Sequence, residues 1–520
     1  NGTRNFLSVC PQTGFNPFIN VLNNGIMKRI LLYITLFATL SLASCNDWLD
    51  VKPETQTDEK DMFKSVSGFK NALTACYIKL NSKNLYGLSL TITDIEFMAQ
   101  HWSYQESNYR GAEDLKAFKY ENDYPKTLIS AIYGEMYNTI AQANIILQNM
   151  PDHKEVITNE DMRAIVEAEA LTIRAFCHME ILRLFGQMPQ NSDKQVSLAY
   201  AKTVSTVMIP HYSYNDFTNL ILADLDAAEA LFKDHDPLFT YSFQELDNFF
   251  DTKNYNVELA DEFMGFRRFR FNYYAVKAIR ARLYMYMGKK TEAYTAAKEI
   301  IDAVDKNGKK VLELAGAGDI SSSNFALPSE CILALSNYEI ESNTEKLFKS
   351  DKTERIYLTE KQFNNDLFAG QSTAVNNRVQ VWDRTPDNQG AIKPLLKKYN
   401  QPSSTTNTDM EVLATQKQVV PLIRLSEMYL IAIESAPTLN EANALYIPYM
   451  KARNVDASPL QQEQLMTEII REYRREFFGE GQMFYTYKRL GIKNMLWKTD
   501  REVGEQDYIV PLPSTELNAN

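Results

Sequence analysis

Residues 273–300 read YYAVKAIRARLYMYMGKKTEAYTAAKEI, and this stretch decides the fold class of the chain. Alanines recur at helical spacing on both sides of Gly288, at Ala275, Ala278, Ala281, Ala293, Ala296 and Ala297. Small side chains on one helical face let two helices approach closely. A glycine between the two runs suits the turn, because it readily adopts the left-handed conformation that ends many helices. The pattern therefore predicts a helical hairpin within Phe269–Val304.

Long amphipathic helices dominate the rest of the chain. Apolar residues at three-and-four spacing predict helices over Lys126–Met150 and about Glu160–Phe185, and a third helix that begins at Ser213 or Asp216. The hairpin described above resembles a tetratricopeptide unit, and a comparable pair of helices is predicted within Leu422–Met450. Because the spacing between these copies is irregular, we expect helical hairpins that wrap around other material rather than a free solenoid.

Strand signals are few and lie in one region. The best candidates are Glu330–Leu335 and Arg378–Trp382, which are short and rich in β-forming residues. Residues 307–415 around them are rich in Gly, Ser, Asn, Thr and Pro and show little helical periodicity. A block of loops that interrupts a helical scaffold is where binding residues are expected.

The segment before residue 60 predicts export and a lipid anchor. Lys28-Arg29, the apolar run Ile30–Ala43 and the small residues before Cys45 predict a signal peptide over 27–44, too short to span a membrane. It resembles a bacterial lipobox, so Cys45 is the predicted lipidation site and residues 45–60 the lipidated tether. The alternative is an ordinary signal peptide followed by a chance cysteine. Residues 1–26 precede Met27 and are interpreted as an upstream segment.

Charge and cysteine content exclude two classes of protein. The net charge is −11, and the three charged residues among 1–44 are all basic, so the remainder carries −14. Such an acidic chain argues against a nucleic-acid partner, which needs clustered Lys and Arg. Apart from Cys10 and Cys45, the cysteines are Cys76, Cys177 and Cys331. Their odd number and unrelated spacing predict buried free thiols rather than a disulfide framework.

No catalytic motif is found in the sequence. The five histidines show no HExxH spacing, and neither a G-x-S-x-G turn nor a phosphate-binding GxxxxGK[ST] loop is present. We interpret the charged clusters around Glu169–Arg174 and Arg471–Glu480 as ion pairs between or along helices. Carboxylates between Asp247 and Glu262 could hold a structural Ca²⁺, but they lack EF-hand spacing, and a solvated acidic face is the alternative that we favour.

Two clusters of aromatic and polar residues are the candidate ligand-binding sites. Sugars present C–H faces that pack on aromatic rings, and their hydroxyls take hydrogen bonds from polar side chains. The first cluster, within Gln100–Arg110, supplies Trp102, Tyr104, Asn108, Tyr109 and Arg110. The second supplies Asn337, Tyr338, Arg378, Trp382 and Asp383. Core packing is the alternative interpretation for Trp102 and the favoured interpretation for Trp382.

Six segments in order along the chain resemble the SusD/RagB family of outer-membrane lipoproteins. The segments are Cys45–Pro53, Glu169–Pro189 with its EA-x3-RA helix, Tyr273–Gly288, Pro421–Leu430 (similar to IRLAE-x-YL), Ile470–Gly481 (similar to ERR-x-E-x-x-x-EG) and Val510–Leu517. The match covers nearly the whole chain after residue 44. One departure is that Gln482–Arg489 lacks the Arg and Asp that usually follow the EG pair, which puts local packing in doubt more than function.

The resemblance implies a mainly α fold, with tetratricopeptide-like helical hairpins (an α-α superhelix) cradling a loop-rich lobe with a few short β-strands. We divide the chain into an N-terminal helical region at 61–306, a binding lobe at 307–415 and a C-terminal helical region at 416–520. The family also implies outer-membrane display facing the cell exterior, no cofactor, and a SusC-like TonB-dependent transporter as partner.

The leading hypothesis is non-catalytic capture of an oligosaccharide by a protein that acts as a lid on the transporter. Peptide capture by the same architecture is one alternative. A surface glycan hydrolase is the other.

Overall fold

The hairpin predicted around Gly288 is present in the computed structural model, which describes residues 59–105, 110–193, 196–204, 207–349, 355–387, 389–399 and 410–517. Residues from Lys60 onward form one compact unit, and all three predicted regions after residue 60 lie within it. The predicted upstream segment, signal peptide and Cys45 lie outside the described residues.

Helices make up most of the described structure. The longer ones are α1 Val66–Leu80, α2 Asp123–Asn149, α3 Glu160–Phe185, α4 Tyr214–His235, α5 Tyr273–Tyr286, α6 Lys290–Asp302, α7 Ile340–Phe348, α8 Leu425–Ser435, α9 Leu439–Ala452, α10 Gln462–Glu476 and α11 Met483–Leu490. Short helices lie at Glu59–Met62, Asp94–Met98, Arg110–Lys116, Phe243–Asp247, Ala317–Ser321, Met410–Val412, Glu505–Tyr508 and Ser514–Leu517. The mainly helical prediction is confirmed.

Local signals set the helix ends. The Asn159 side chain accepts a hydrogen bond from the Met162 N–H at 2.7 Å and so begins α3, because an N-cap oxygen satisfies one of the free N–H groups of the first turn. Ser213 does the same for α4, at 3.3 Å from the Asp216 N–H. Both helices begin where the sequence predicts, and α3 ends at Phe185 directly before Gly186.

The helices form a continuous stack. Helix α3 packs against α2 and α4, α4 packs against α5, and α5 and α6 form the predicted hairpin. Helix α6 then packs on α8, which forms a second hairpin with α9. Helices α6 and α8 therefore pack together although residues 303–424, which include the loop-rich block, separate them in sequence. This arrangement is expected for hairpins that wrap around inserted material.

Gly288 closes the first hairpin with two hydrogen bonds. Its φ is +72°, its N–H donates to the Met285 carbonyl at 3.1 Å, and the Lys289 N–H donates to the Tyr284 carbonyl at 2.9 Å. This pattern satisfies carbonyls at the end of a helix and favours glycine at the left-handed position.

We expect Gly288→Val to lower the free energy of unfolding by about 1 to 2 kcal/mol, the cost of a left-handed conformation for an ordinary residue. A Cβ added at this position meets no atom within 4 Å, so the loss comes from the backbone rather than from a clash. Thermal unfolding of Gly288→Val measures it, with Gly288→Asn and the exposed Lys290→Ala as controls that we expect to be milder. Equal losses in all three variants would reject this account of the turn.

The strands form two-stranded antiparallel sheets. They are β1 Ser103–Tyr104, β2 Leu198–Ala199, β3 His211–Tyr212, β4 Cys331–Ser336, β5 Ile356–Tyr357, β6 Trp382–Asp383, β7 Leu395–Leu396 and β8 Val419–Arg424, paired β1–β5, β2–β3, β4–β8 and β6–β7. The strand predicted at Glu330–Leu335 is confirmed as β4. Its partner β8 occupies the start of the predicted helix at Leu422, so that helix begins three residues later, at Leu425.

The strand predicted at Arg378–Trp382 is wrong over most of its length. Residues Asn377–Val379 form a 3-10 turn, and only Trp382 of the predicted segment lies in a strand. The Asn376 side chain accepts from the Arg378 N–H at 3.0 Å, which starts the turn. The apolar pattern of this segment therefore reflects burial of Val379 and Val381 outside any strand, and only Trp382 pairs, with Leu396 of β7.

A buried ion-pair network joins the loop-rich block to the helical stack. Arg424, at the end of β8, contacts the carboxylates of Glu330, Glu476 and Glu480. Arg453 contacts Glu330 and Glu476 at 3.0 and 2.8 Å. The prediction that the Arg471–Glu480 cluster forms ion pairs is confirmed, and most of these side chains are buried rather than solvated.

A second set of ion pairs holds the N-terminal helices together. Arg174 on α3 makes two bonds of 2.6 Å to Asp224 on α4. Glu169 accepts from Arg267 at 2.6 Å and from Arg270 at 3.0 Å. Charge-assisted, two-pronged contacts of this kind fix orientation as well as adding energy.

The three cysteines of the described residues are free and buried, as predicted. Burial raises the pKa of the Cys76 and Cys331 thiols to about 12, so these groups stay protonated at neutral pH. None of the helices in the described part of the chain is long and apolar enough to cross a bilayer.

Candidate functional site

Part of each predicted cluster lies on linked pairs of strands, Ser103-Tyr104 from the first and Trp382-Asp383 from the second. Strand β1 of the first cluster pairs with β5, with Ser103 opposite Tyr357. The Leu358 N–H after β5 donates to the Pro394 carbonyl before β7 at 3.1 Å, and β7 pairs with β6 of the second cluster. Backbone hydrogen bonds thus link β1 to β6, which lie almost 280 residues apart in the sequence.

Trp102 and Trp382 lie beneath these strands in the core. Trp102 is 0% exposed, and its indole N–H donates to the Ile92 carbonyl at 2.7 Å. Its ring centroid is 4.8 Å from that of Phe478 and 6.1 Å from that of Trp382, which is 5% exposed. Neither ring offers an accessible stacking face, so the ligand-binding prediction is wrong for both, and core packing is observed, which was the alternative for Trp102 and the favoured interpretation for Trp382.

Arg378 and Asn337 are also committed to internal contacts. The Arg378 guanidinium pairs with the buried Glu472 and donates to Gln371 at 3.0 Å, and it is 4% exposed. Asn337 is 3% exposed and donates to the Asn81 carbonyl at the end of α1 at 3.4 Å. Neither side chain is free to bind a ligand at the surface, so the ligand-binding prediction for both is wrong.

Some of the other predicted residues remain candidates, and the rest lie outside the residues that the structure describes. Tyr338 is 79% exposed. Asp383 is half-buried, and its carboxylate accepts from the Thr385 N–H at 2.9 Å. Asn108 and Tyr109 lie outside the described residues, and Arg110 is described only as the first residue of a short helix.

Aromatic and charged side chains gather around β1 and β5. We define the paired-strand surface by Ser103, Arg355, Tyr357, Asp387 and Lys393. Tyr357 is half-buried, and the Lys393 ammonium lies 5.3 Å from its ring centroid. Tyr104 is also half-buried, with the Lys116 ammonium 5.8 Å from its ring centroid. Tyr357 lies opposite Ser103 and Tyr104 opposite Ile356, so the two tyrosines point to opposite faces of the short sheet. Tyr104 packs toward the core, with its ring centroid 5.5 Å from that of Phe97.

The charged side chains of the paired-strand surface contact one another, because Arg355 and Lys393 share the carboxylate of Asp387. Asp387 lies 3.1 Å from Arg355 and 3.4 Å from Lys393. Hydrogen bonds from the backbone, the Ala391 N–H first, hold the pKa of the Asp387 carboxyl below its usual range, so it stays ionised. A surface whose charges already have partners favours a neutral ligand over a charged one.

Lys116 is a partly desolvated cation beside Tyr104, on the other face of the short sheet from Tyr357. Its ammonium donates to the Trp102 carbonyl at 2.8 Å. Burial, assisted by the charge of Lys498, lowers the pKa of Lys116 to about 8. At neutral pH most molecules keep this lysine protonated, so its cation remains over the Tyr104 ring.

The acidic segment between Asp247 and Glu262 is divided among separate partners. Asp247 pairs with Arg268 at 2.7 Å, and Asp261 pairs with Lys70 at 2.5 Å. Within the described residues, no three His, Cys, Asp or Glu side chains converge in an arrangement that could hold a metal ion.

Sequence reasoning missed most of the paired-strand surface. Arg355, Tyr357, Asp387 and Lys393 stand in a loop-rich region with no motif, and only strand pairing brings Tyr357 opposite Ser103. The one available signal is the apolar run Ile356-Tyr357-Leu358, which is short enough for a strand but has no distinguishing pattern.

Two family models match consecutive parts of the chain. One, described as starch-binding and associating with the outer membrane, matches residues 47–242. The other, the SusD family, matches residues 264–520. Together they cover the helical stack and the whole loop-rich block.

Curated relatives match shorter parts. SusD-like protein P38 of Formosa agariphila is 22% identical over 276 residues, which cover 52% of this chain and 45% of the relative. SusD-like protein P25 of the same organism is 25% identical over 167 residues, 31% of each chain. The chain thus matches less than half the length of either relative.

Solved structures show the same fold. A SusD superfamily protein from Bacteroides thetaiotaomicron has a TM-score of 0.66 at 18% identity and covers 88% of this chain and 98% of its own. A laminarin-binding SusD-like protein has a TM-score of 0.61 at 17% identity, with coverage of 88% and 98%. A SusD-like carbohydrate-binding protein from Bacteroides vulgatus has a TM-score of 0.59 at 17% identity, covering 82% and 83%. These similarities establish the architecture.

Proposed function

Because this chain belongs to the SusD family of non-catalytic binding proteins, and one of its two family matches is described as starch-binding, we propose that it captures a neutral oligosaccharide at the paired-strand surface. The observation that carries the proposal is the pairing of β1 with β5, which places Tyr357 on the same face of the sheet as Ser103, beside Arg355, Asp387 and Lys393. The half-buried Tyr357 supplies a flat apolar face for a sugar ring, and the surrounding polar groups supply hydrogen bonds.

A neutral ligand also fits the electrostatics. The Asp387 carboxylate is engaged by two cations, and Lys393 lies over the Tyr357 ring. Contact with sugar hydroxyls leaves these interactions in place, whereas a charged ligand would compete with them. Binding should therefore depend little on salt concentration.

We expect Tyr357→Ala to weaken oligosaccharide binding by about 1 to 3 kcal/mol, the range for losing an aromatic anchor at an interface. The measurement is titration calorimetry with maltoheptaose, laminarihexaose and acidic glycans, at low and high salt. Tyr294→Ala is the matched control, because Tyr294 is a half-buried tyrosine on α6. Tyr338→Ala tests the exposed candidate. Unchanged affinity in Tyr357→Ala would remove the paired-strand surface from the site.

The same titrations distinguish peptide capture from oligosaccharide capture. A peptide ligand is recognised mainly by its backbone and charges, so its binding should fall as salt rises and should respond more to Lys393→Met than to Tyr357→Ala. Preference for charged peptides over all glycans, with this pattern, would replace the oligosaccharide proposal.

We further propose that the protein is held at the outer membrane, facing the cell exterior, by a lipid on Cys45 and acts as a lid on a SusC-like TonB-dependent transporter. Support comes from the lipobox-like sequence before Cys45 and from the outer-membrane association in the family description. Two or three acyl chains would give the stable anchoring that one chain does not.

Cys45→Ala should abolish incorporation of labelled palmitate and release the protein from the outer-membrane fraction. Ser44→Ala, which keeps a small residue before the cysteine, should behave as wild type. Retention of Cys45→Ala in the outer membrane would reject the lipid anchor, and co-purification of a transporter with wild type tests the lid.

A further inference from the structure

A cavity of about 390 Å³ opens between α9 and α10, apart from the residues of the paired-strand surface. Its walls are formed by α9, the segment 455–460, one face of α10 and residues 369–371. A volume of this size can hold a small organic molecule or one sugar unit. We call this cavity the α9–α10 pocket.

Hydrogen bonds within the protein fix the walls of the pocket. The Asn443 side chain on α9 donates to the Leu460 carbonyl at 3.0 Å and accepts from the Leu460 N–H at 2.7 Å, which holds the segment before α10. The Arg475 guanidinium on α10 donates to the Leu367 carbonyl at 2.7 Å and to the Ala369 carbonyl at 3.3 Å. A cavity whose walls are already ordered loses little conformational entropy when it takes a ligand.

Tyr446 on α9 brings a hydroxyl without a partner to the pocket. The residue is 4% exposed, and it lines the cavity. Its hydroxyl has no hydrogen-bond partner among the described residues, and unlike the enclosed hydroxyl of Tyr485 it keeps accessible surface. Burial, and then the charges of Glu472 and Glu468, raise the pKa of the Tyr446 hydroxyl, so it stays protonated and can donate or accept. Since the polar atoms of buried residues almost always have partners, this hydroxyl calls for a polar ligand atom.

Apolar side chains form another part of the wall. Val455, Ala457 and Ala369 are half-buried, and Met450 and Leu460 lie deeper in the protein. A ligand can therefore place a hydrocarbon stem or the C–H face of a sugar ring against these side chains while a polar atom reaches the tyrosine hydroxyl.

Negative charge exceeds positive charge around the pocket. The charged residues in its lining are Asp456, Glu463, Glu468, Arg471 and Arg475. The Arg475 side chain is 1% exposed and lies 2.8 Å from the Glu468 carboxylate, and Arg471 lies 3.5 Å from the same carboxylate. Asp456 and Glu463 are exposed and have no ion-pair partner in the part of the chain that the structure describes. This excess of carboxylates attracts a cation and repels an anion.

We propose that the α9–α10 pocket binds a small ligand that carries a primary ammonium group, which faces the carboxylates of Asp456 and Glu463. A second polar atom of the ligand forms a hydrogen bond with the Tyr446 hydroxyl, and its apolar stem or sugar ring packs on Val455 and Ala457. Two sources offer this chemistry, an amino sugar and a lysine side chain. The pocket shares no residue with the paired-strand surface, so the proposal does not depend on the function proposed there.

Saturation-transfer NMR titrations of the whole chain test the proposal with two pairs of probes. Glucosamine is compared with glucose. Nα-acetyllysine amide is compared with Nα-acetylnorleucine amide, which has the same straight stem without the ammonium group. The titrations are made at slightly acidic pH, where both amines are protonated. We expect at least one amine to bind with a Kd about threefold or more below that of its neutral counterpart, and added salt should reduce the difference.

Tyr446→Phe is the decisive variant, because it removes one oxygen atom and keeps the ring. We expect it to raise the Kd of the amine about fivefold. Thermal stability should not change, because the hydroxyl has no partner in the described part of the protein. Tyr294→Phe, at a half-buried tyrosine on α6, is the matched control and should bind as wild type does.

Glu463→Gln tests the charge of the pocket. Glu463 lies in the first turn of α10, and its neutral replacement should reduce the preference for the amine over the neutral counterpart. Glu292→Gln is the matched control, because Glu292 is an exposed carboxylate in the first turn of α6.

Each outcome decides for or against the pocket. Preference for glucosamine, for the lysine derivative or for both would support it and identify the source of the ammonium group. Equal binding of the amines and their neutral counterparts would overturn the proposal. Unchanged amine affinity in either Tyr446→Phe or Glu463→Gln would also overturn it, since the amine would then bind elsewhere on this acidic protein. Glycan binding at the paired-strand surface is tested separately with Tyr357→Ala, so failure here leaves the proposed function standing.

Discussion

Arg424→Met should lower the free energy of unfolding by about 3 to 5 kcal/mol, the cost of removing one partner from a buried ion pair. Arg424 is 1% exposed, and its side chain reaches three carboxylates and the Ser426 hydroxyl. Methionine has a similar length but no charge. The variant therefore keeps the packing volume and leaves the carboxylates of Glu330, Glu476 and Glu480 with fewer positive partners.

The ionisation of Glu476 shows how strongly these charges are coupled. Burial is the largest influence and by itself raises the pKa of this carboxyl, but the charges of Arg453 and Arg424 together hold the pKa well below its usual range. Removing Arg424 takes away one of those opposing charges. The pKa of Glu476 should rise in the variant, and burial of the carboxylate becomes more costly.

Urea unfolding near neutral pH measures the loss. Arg471→Met is the matched control on α10, because the Arg471 side chain is 49% exposed and its nearest carboxylate, on Glu468, is 3.5 Å away. An exposed pair of this kind contributes at most about 1 kcal/mol. Similar losses in the two variants would contradict the central position given to Arg424.

Trp102→Ala should destabilise the fold by about 3 to 5 kcal/mol, as expected when a large aromatic side chain is removed from a core. The indole fills the space between Phe348, Phe478 and Trp382, and its N–H satisfies the Ile92 carbonyl. Alanine leaves both a cavity and an unpaired backbone oxygen.

The comparison is with Tyr338→Ala, which removes an aromatic ring that is 79% exposed and should change stability by less than about 0.5 kcal/mol. Thermal and urea unfolding measure both. A Trp102→Ala protein that unfolds like wild type but no longer binds oligosaccharide would show that the ring is a ligand contact and would reject its buried position.

Trp102 also shows where sequence reasoning stops. Gln100–Arg110 is dense in aromatic and polar residues, and this composition is typical both of a sugar-binding loop and of a strand that enters the core. The choice depends on Phe348, Trp382 and Phe478, which are remote in sequence and cover the ring. No local sequence pattern shows these contacts, so only the tertiary structure distinguishes a buried Trp102 from one that faces a ligand.

The helices were predictable because their signals are local. The bounds of α3 follow from an Asn cap, apolar spacing and a terminal glycine, all within thirty residues. Gly288 and the alanines beside it likewise specify the first hairpin. At Leu422 the same reasoning fails by three residues, because the pairing of β8 with β4 extends the backbone up to Arg424.

The stack of helices has a consequence for the order in which the chain can fold. Helix α6 ends at Asp302, and α8, the helix that packs on it across the loop-rich block, begins at Leu425. Helix α6 is synthesised long before α8. The face of α6 that contacts α8 therefore stays exposed while residues 303–424 are synthesised. Contacts between residues so distant in sequence form slowly, because a long loop must close first. A chain that is cut short before Leu425 would keep that face exposed, which makes late truncation a route to aggregation or proteolysis.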